Sequence, residues 1–256
     1  MRADTPTVGV VIPTKNEARN LQYVLPLLDR SLIDEVVIVD AGSTDGTRET
    51  AQALCPDAKI IGQHVGGKGA ALSAGLCAVE SDIAVMLDAD GSMDPREIPA
   101  YVGALVAGAD LAKGSRLSAG ATSHDITLLR SAGNFALRTA VNLLFRQRWS
   151  ELAYGYAAMW TDILRPLRID EIDTPGTAKG AYGTGFEIET LLFTRSVRAG
   201  LRVVEVSSIE FDRVHGETNL NTFRDGFRCL SSLLRERFGR RPRIDTTEQY
   251  LRPIAP

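Results

Sequence analysis

Two carboxylates one residue apart, in Asp88-Ala89-Asp90, come directly after the clearest strand candidate of the chain, Ile83-Ala84-Val85-Met86-Leu87. Side chains on a strand alternate with a period of two, so both aspartates leave such a run on the same side and can face one cation. Magnesium and manganese suit this arrangement, because they are held by one or two carboxylates and take further oxygens from bound phosphates. A cation so held neutralises charge that grows on phosphate oxygens when a diphosphate leaves. Taken alone, the same residues also make a plain turn, with Asp90-Gly91 reversing the chain and Asp88 capping the next segment.

A third carboxylate stands in a similar relation to a second apolar run. Val36-Val37-Ile38-Val39 delivers Asp40 to the glycine-rich stretch Ala41-Gly42-Ser43-Thr44-Asp45-Gly46-Thr47. Asp40 there can accept from the ring N–H of a uracil or the two N–H donors of a guanine, and Gly42 permits close backbone approach; a strand-end turn is the alternative. One segment points elsewhere. Gly62-Gln63-His64-Val65-Gly66-Gly67-Lys68-Gly69 nearly matches a phosphate-binding P-loop. Such a loop needs Ser or Thr directly after its lysine and comes after the first strand, whereas Gly69 stands there and the segment does not follow the first strand, which argues against an NTPase.

The elements that must position these residues are βα units. Val8-Gly9-Val10-Val11-Ile12 reads as a buried strand, and Thr14 with Glu17 has the spacing of a capping box before the helical stripe Leu21, Val24, Leu25 and Leu28. Lys59-Ile60-Ile61 is a weaker strand. Asp94-Pro95-Arg96-Glu97 supplies an N-cap, a first-turn proline and a capping glutamate for a helix carrying Ile98, Tyr101, Val102 and Leu105. Alternating runs of this kind specify an α/β fold with a mostly parallel sheet, in which ligands sit beyond the carboxyl ends of the strands. Beyond residue 117 the pattern loosens into a long helix from about Ile126 to Phe145, an aromatic-rich piece at Tyr154-Gly155-Tyr156, a helix from near Phe186 and a strand over Leu201 to Val206. From Asn219 to Arg243, Leu220, Phe223, Phe227, Leu230, Leu234 and Phe238 recur at helical spacing between arginines.

The chain has 256 residues, 44% apolar and 24% charged, with a formal charge of −3 and a pI near 5.7. That is the composition of a globular protein, and its balance speaks against nucleic acid as a partner. Cys55, Cys77 and Cys229 show no CxxC spacing, which fits free thiols in a reducing compartment. Neither a signal peptide nor 18 consecutive apolar residues can be read, so a cytoplasmic location is expected.

Taken together, Val11-Ile12-Pro13-Thr14-Lys15-Asn16-Glu17, Val39 to Thr47, Gly67-Lys68-Gly69 and Leu87-Asp88-Ala89-Asp90 resemble the family 2 glycosyltransferases of the GT-A fold. The likeness covers roughly residues 8 to 220 and is greatest to the dolichol- and polyprenyl-phosphate mannose and glucose synthases, which share the element Gly114-Ser115-Arg116. It implies inverting transfer of a hexose from a UDP- or GDP-sugar with Mg2+ or Mn2+. The donor is expected along Pro13, Thr14, Glu17, Asp40, Gly42, Lys68, Asp88, Ala89 and Asp90. Asp88 and Asp90 are expected to hold the metal. The glutamine that often comes after the motif is replaced by Ser92, leaving the third ligand to Ser92, His215 or water. Arg116, Arg130 and Arg213 are expected on phosphates of donor or acceptor, a task that suits the guanidinium fork. Glu187 or Glu189 is expected to face the acceptor, Glu187 preferred, with the other forming a surface or arginine contact; a hydroxyl acceptor needs such a base and a phosphate does not. Asp90, Glu187 and Arg116 are the catalytic expectations.

The implied organisation is a nucleotide-sugar half over residues 1–116, an acceptor half over 117–218, and an amphipathic helix and tail over 219–256. The acceptor is expected to be a polyprenyl phosphate, or alternatively a small soluble molecule such as a phosphorylated metabolite; a catalytically silent nucleotide-sugar-binding protein is the third reading. The arginine-rich helix either packs its apolar stripe on the body or lies on the cytoplasmic face of an anionic bilayer.

Overall fold

A computed structural model describes residues 2–3, 5–123, 128–217 and 220–239, leaving out the side chains of 128–130. In chain order its strands are β1 Val8–Thr14, β2 Glu35–Asp40, β3 Lys59–Ile61, β4 Ile83–Met86, β5 Leu111–Ser115, β6 Thr122–Ser123, β7 Ala157–Trp160, β8 Val203–Ser207 and β9 Ile209–Glu210. Its α-helices are α1 Ala18–Val24, α2 Thr47–Leu54, α3 Lys68–Ala78, α4 Ile98–Val106, α5 Leu128–Phe145, α6 Ile188–Arg198 and α7 Thr222–Phe238. Seven strands form one sheet in the order β3-β2-β1-β4-β7-β5-β8, and β6 pairs with β9 beside it.

The sheet is mostly parallel, as expected, because βα crossovers return each strand in the same sense. Helices cover both faces, so its strands are buried on both sides and read as unbroken apolar runs: Val10, Val11, Ile12, Val37, Ile38 and Val39 have no exposed surface. The exception is β7, antiparallel to both β4 and β5. Four residues are too few for a periodicity, and in the sequence β7 reads as the edge of an aromatic-rich piece.

Both expected capping boxes give way to distant partners. The Thr14 hydroxyl donates to the Val39 carbonyl at 3.3 Å, and the Glu17 carboxylate turns to Asn20 and Arg213. The start of α1 is capped instead from the glycine-rich loop, where Thr47 Oγ1 accepts from the Glu17 N–H at 2.9 Å and Asp45 accepts from the Ala18 N–H at 3.1 Å. Asp94 does cap a 3₁₀ turn through the Arg96 N–H, but Glu97 reaches across to Ser208 and the Ile209 N–H.

The orientation of α7 corrects the expectation that its apolar stripe packs on the body. Asp225, Cys229, Ser232, Leu233 and Glu236 face inward, while Phe223, Phe227 and Phe238 are 75%, 72% and 69% exposed. Glu236 is bound by Arg195 and Arg198 of α6, and this buried ion pair selects the inward face. Among the described residues no helix is long and apolar enough to cross a membrane.

Candidate active site

A cleft of about 780 Å³ opens beyond the carboxyl ends of β1 and β4, where the strand order reverses direction. Pro13, Thr14 and Glu17 line it from the end of β1, and Asp88, Ala89 and Asp90 from the end of β4. Lys68, Ser92, Arg116, Glu189 and Arg213 are the other predicted residues on its wall.

Each aspartate of the pair carries one organic cation. Lys68, the first residue of α3, donates to Asp88 Oδ2 at 2.8 Å and sits 3.1 Å from Glu189 Oε1. Arg213 lies 3.0 Å from Asp90 Oδ2 and 3.0 Å from Glu17 Oε1, joining the two strand ends. The turn reading of Asp90 also holds, since its other oxygen accepts from the Ser92 N–H and hydroxyl at 3.0 and 2.7 Å. Gly91 is required at that turn: its φ is +81°, and an added Cβ would lie 2.6 Å from Val214. The loop after β9 is strapped over the motif, with Phe211 N–H donating to the Ser92 carbonyl and Val214 N–H to the Asp90 carbonyl. Burial pushes the Glu189 carboxyl up and the nearby Lys68 ammonium opposes it, while Asp88 adds to the rise. Burial disfavours the Lys68 charge, but Asp88 and Glu189 outweigh it and hold the ammonium protonated.

The resemblance to a P-loop ends at the start of α3. Two of its first N–H groups are already taken: those of Gly69 and Ala70 donate to the Thr184 carbonyl at 3.0 and 3.2 Å. A Cβ on Gly69 would lie 2.0 Å from the Gly183 oxygen, so glycine here serves close packing rather than phosphate.

Several predicted residues are placed elsewhere. Asp40 is buried and accepts from the Ser43 N–H, with Arg48 at 3.6 Å, and neither it nor Gly42 lines the cleft. The preference for Glu187 is reversed: it binds Arg228 and the Gly183 N–H behind the cleft, while Glu189 lines it. Two residues apart at a helix start, they face different directions. The His215 ring packs edge-on to Tyr23 at 5.4 Å and does not line the cleft. All five N–H donors of Arg116 are taken, by Glu151, Glu210 and the Ala153 carbonyl, with the guanidinium 4.7 Å from the centre of the Tyr154 ring. The Arg130 side chain lies outside the described residues.

The sequence reading missed Gln63, Asn134, Arg224 and Asp225, all of which line the cleft. Gln63 Oε1 and Asn134 Oδ1 are buried with no hydrogen-bond partner among the described residues, an arrangement worth about 1–3 kcal/mol to any ligand that supplies a donor. Polar residues inside helices and loops carry no period that marks them in advance.

Among the described residues no three His, Cys, Asp or Glu side chains gather into a cage for a metal. The donor set nevertheless fits a hard divalent cation. Glu17, Asp88, Asp90 and Glu189 gather at one end of the cleft around Lys68 and Arg213, and a two-carboxylate hold is sufficient when phosphates complete the shell.

The chain matches the family model described as glycosyl transferase family 2 over residues 9–165. It is 30% identical to an undecaprenyl-phosphate mannosyltransferase of Micrococcus luteus over 84% of this chain and 87% of that one. It is 29% identical to a polyprenol monophosphomannose synthase of Mycolicibacterium smegmatis over 83% and 80% of the two. In structure it resembles glucosyl-3-phosphoglycerate synthase from Mycobacterium tuberculosis, solved with Mn2+, uridine diphosphate and phosphoglyceric acid, with a TM-score of 0.70 at 22% identity over 93% of this chain and 80% of that one. The parallel sheet with its carboxylates at one strand-end cleft is thus the GT-A fold, and the chain belongs to glycosyl transferase family 2.

Proposed function

We propose that this enzyme transfers a hexose, with inversion, from a nucleotide-diphosphate sugar to a polyprenyl phosphate. The observation that carries the reading is one continuous cleft, which reaches from the carboxylates at the sheet to α5 and α7, where Arg224 stands on its wall. The two relatives named for undecaprenyl-phosphate and polyprenol support a lipid phosphate as acceptor.

Pro13, Thr14 and Glu17 receive the nucleoside end of a UDP- or GDP-hexose, and Lys68 and Arg213 hold the acidic side chains in place. Asp88 and Asp90 would hold a magnesium or manganese ion, which would supply positive charge toward the departing diphosphate. The acceptor oxygen forms its bond to the anomeric carbon as the bond to the diphosphate breaks, and the electron pair leaves with the diphosphate. A phosphate is already anionic, so no proton has to be removed; Arg224 meets it and orients it for attack. Arg116, saturated by Glu151 and Glu210, acts as a positioning residue for the acceptor side of the cleft. For a hydroxyl acceptor the base is Glu189, which lines the cleft where Glu187 does not.

The test is transfer from UDP-, GDP- and dTDP-hexoses, with manganese, to detergent-dispersed polyprenyl phosphate and to water-soluble phosphorylated acceptors in parallel. A glycosylated lipid with one of the donors is expected. Product on soluble acceptors alone overturns the lipid reading, and no product with any pair overturns the transferase reading.

A further inference from the structure

We infer that the outward face of α7 docks on an anionic lipid bilayer beside the cleft, an inference that rests on the polyprenyl-phosphate reading and extends it. The face is built opposite to that of an ordinary surface helix. Its acids, Asp225 and Glu236, are buried, while Phe223, Phe227, Leu234 and Phe238 face out at 75%, 72%, 45% and 69% exposure. The helix is held in this rotation from within. Glu236 pairs with Arg195 and Arg198, and Asp225 accepts from the Asn221 N–H at 2.8 Å and pairs with Arg224. Turning the phenylalanines inward would break both sets and bury unpaired charge.

The charge pattern selects the occupant. With both acids buried, the exposed charges on α7 are Arg224, Arg235 and Arg237, and Arg228 is partly exposed, in a chain whose formal charge is −3. A second copy placed face to face would set arginines against arginines. An anionic lipid surface complements them, and aromatic side chains between basic ones are the makeup of helices that lie in a bilayer interface. The neighbouring α5, joined to α7 where Arg237 Nε donates to the Leu144 carbonyl at 3.1 Å, adds exposed Phe135 and Leu143. Both helices also line the cleft, through Asn134 and Leu137 of α5 and Thr222 and Arg224 of α7. A phosphate presented at the surface of the bilayer is thereby brought to the end of the cleft where the acceptor is proposed to bind.

The experiment uses the full chain with phosphatidylcholine vesicles, with and without phosphatidylglycerol. Flotation is expected only with the anionic vesicles and is expected to weaken as salt is raised. The triple variant Phe223→Ser, Phe227→Ser, Phe238→Ser is expected to reduce flotation at least about tenfold, while stabilisation by UDP and manganese stays unchanged. Hydroxyl-radical footprinting reads the face directly: the three phenylalanines react in the free chain and become protected on anionic vesicles. Absence of flotation overturns the inference. So does a dimer of the free chain that the triple variant dissociates, which makes a second copy the occupant. Protection of the phenylalanines in a free monomer likewise overturns it, because the face is then covered from within the chain. Lipid product in detergent without flotation removes the docking surface and leaves the acceptor reading intact, and flotation without lipid product does the reverse.

Discussion

Replacing Lys68 by methionine keeps the stem of the side chain and removes the ammonium that lies 2.8 Å from Asp88 and 3.1 Å from Glu189. The variant leaves two carboxylates facing one another, with Glu189 8% and Asp88 25% exposed at the side chain. Breaking a buried pair from one side costs about 3–5 kcal/mol, and water reaching Asp88 favours the lower end, about 3 kcal/mol near neutral pH. For a chain of this size that corresponds to a fall in melting temperature of roughly 6–12 °C.

The loss depends on pH with a definite sign. Burial already raises the Glu189 pKa in the folded protein, and removing the ammonium that opposes this raises it further. A carboxyl whose folded pKa lies above its unfolded value of about 4.3 binds more protons in the folded state between those two values, so stability falls as pH rises through that window. The slope is at most about 1.4 kcal/mol per pH unit for one group. Urea unfolding in chelator is therefore expected to show a loss of about 3 kcal/mol near pH 7.5 and a smaller loss near pH 5, because lowering the pH favours the protonated form of the raised Glu189 carboxyl. Adding Glu189→Gln to the variant is expected to recover most of the difference. An equal loss at both pH values, or no recovery in the double variant, would refute the assignment of Lys68 as the charge that holds these two carboxylates.

Arg213→Met frees Asp90 and Glu17 from their guanidinium and is expected to tighten binding of manganese alone about tenfold, as expected for removing one positive charge at short range, while weakening binding of UDP with manganese. Isothermal titration with each ligand checks both, and unchanged manganese affinity contradicts a charge-balancing role. Gly69→Ala is expected to cost about 3 kcal/mol or more, because its Cβ meets carbonyl oxygens at 2.0 and 2.6 Å. Gly66→Ala, with nothing within 4 Å, should cost about 1 kcal/mol or less; the two denaturation midpoints test whether packing against 183–185 is what Gly69 serves.

The apolar runs at Val8, Val36 and Ile83, the carboxylates at their ends and the order of the βα units are all local in the sequence, and β1, β2, β4 and the Asp88-Ala89-Asp90 end of the cleft derive from them. Residue type and spacing sufficed because a strand buried on both faces must be apolar along its length and must end where the ligand crevice begins. The tertiary structure alone decided the rest. It placed β7 antiparallel within the sheet, exchanged Glu187 for Glu189 on the cleft wall, saturated Arg116 with Glu151 and Glu210, and turned α7 so that Glu236 rather than Phe227 faces inward. Each of these outcomes depends on a charged or hydrogen-bonding partner far away in the chain, and the cost of burying such a group unpaired overrides the local pattern of apolar residues.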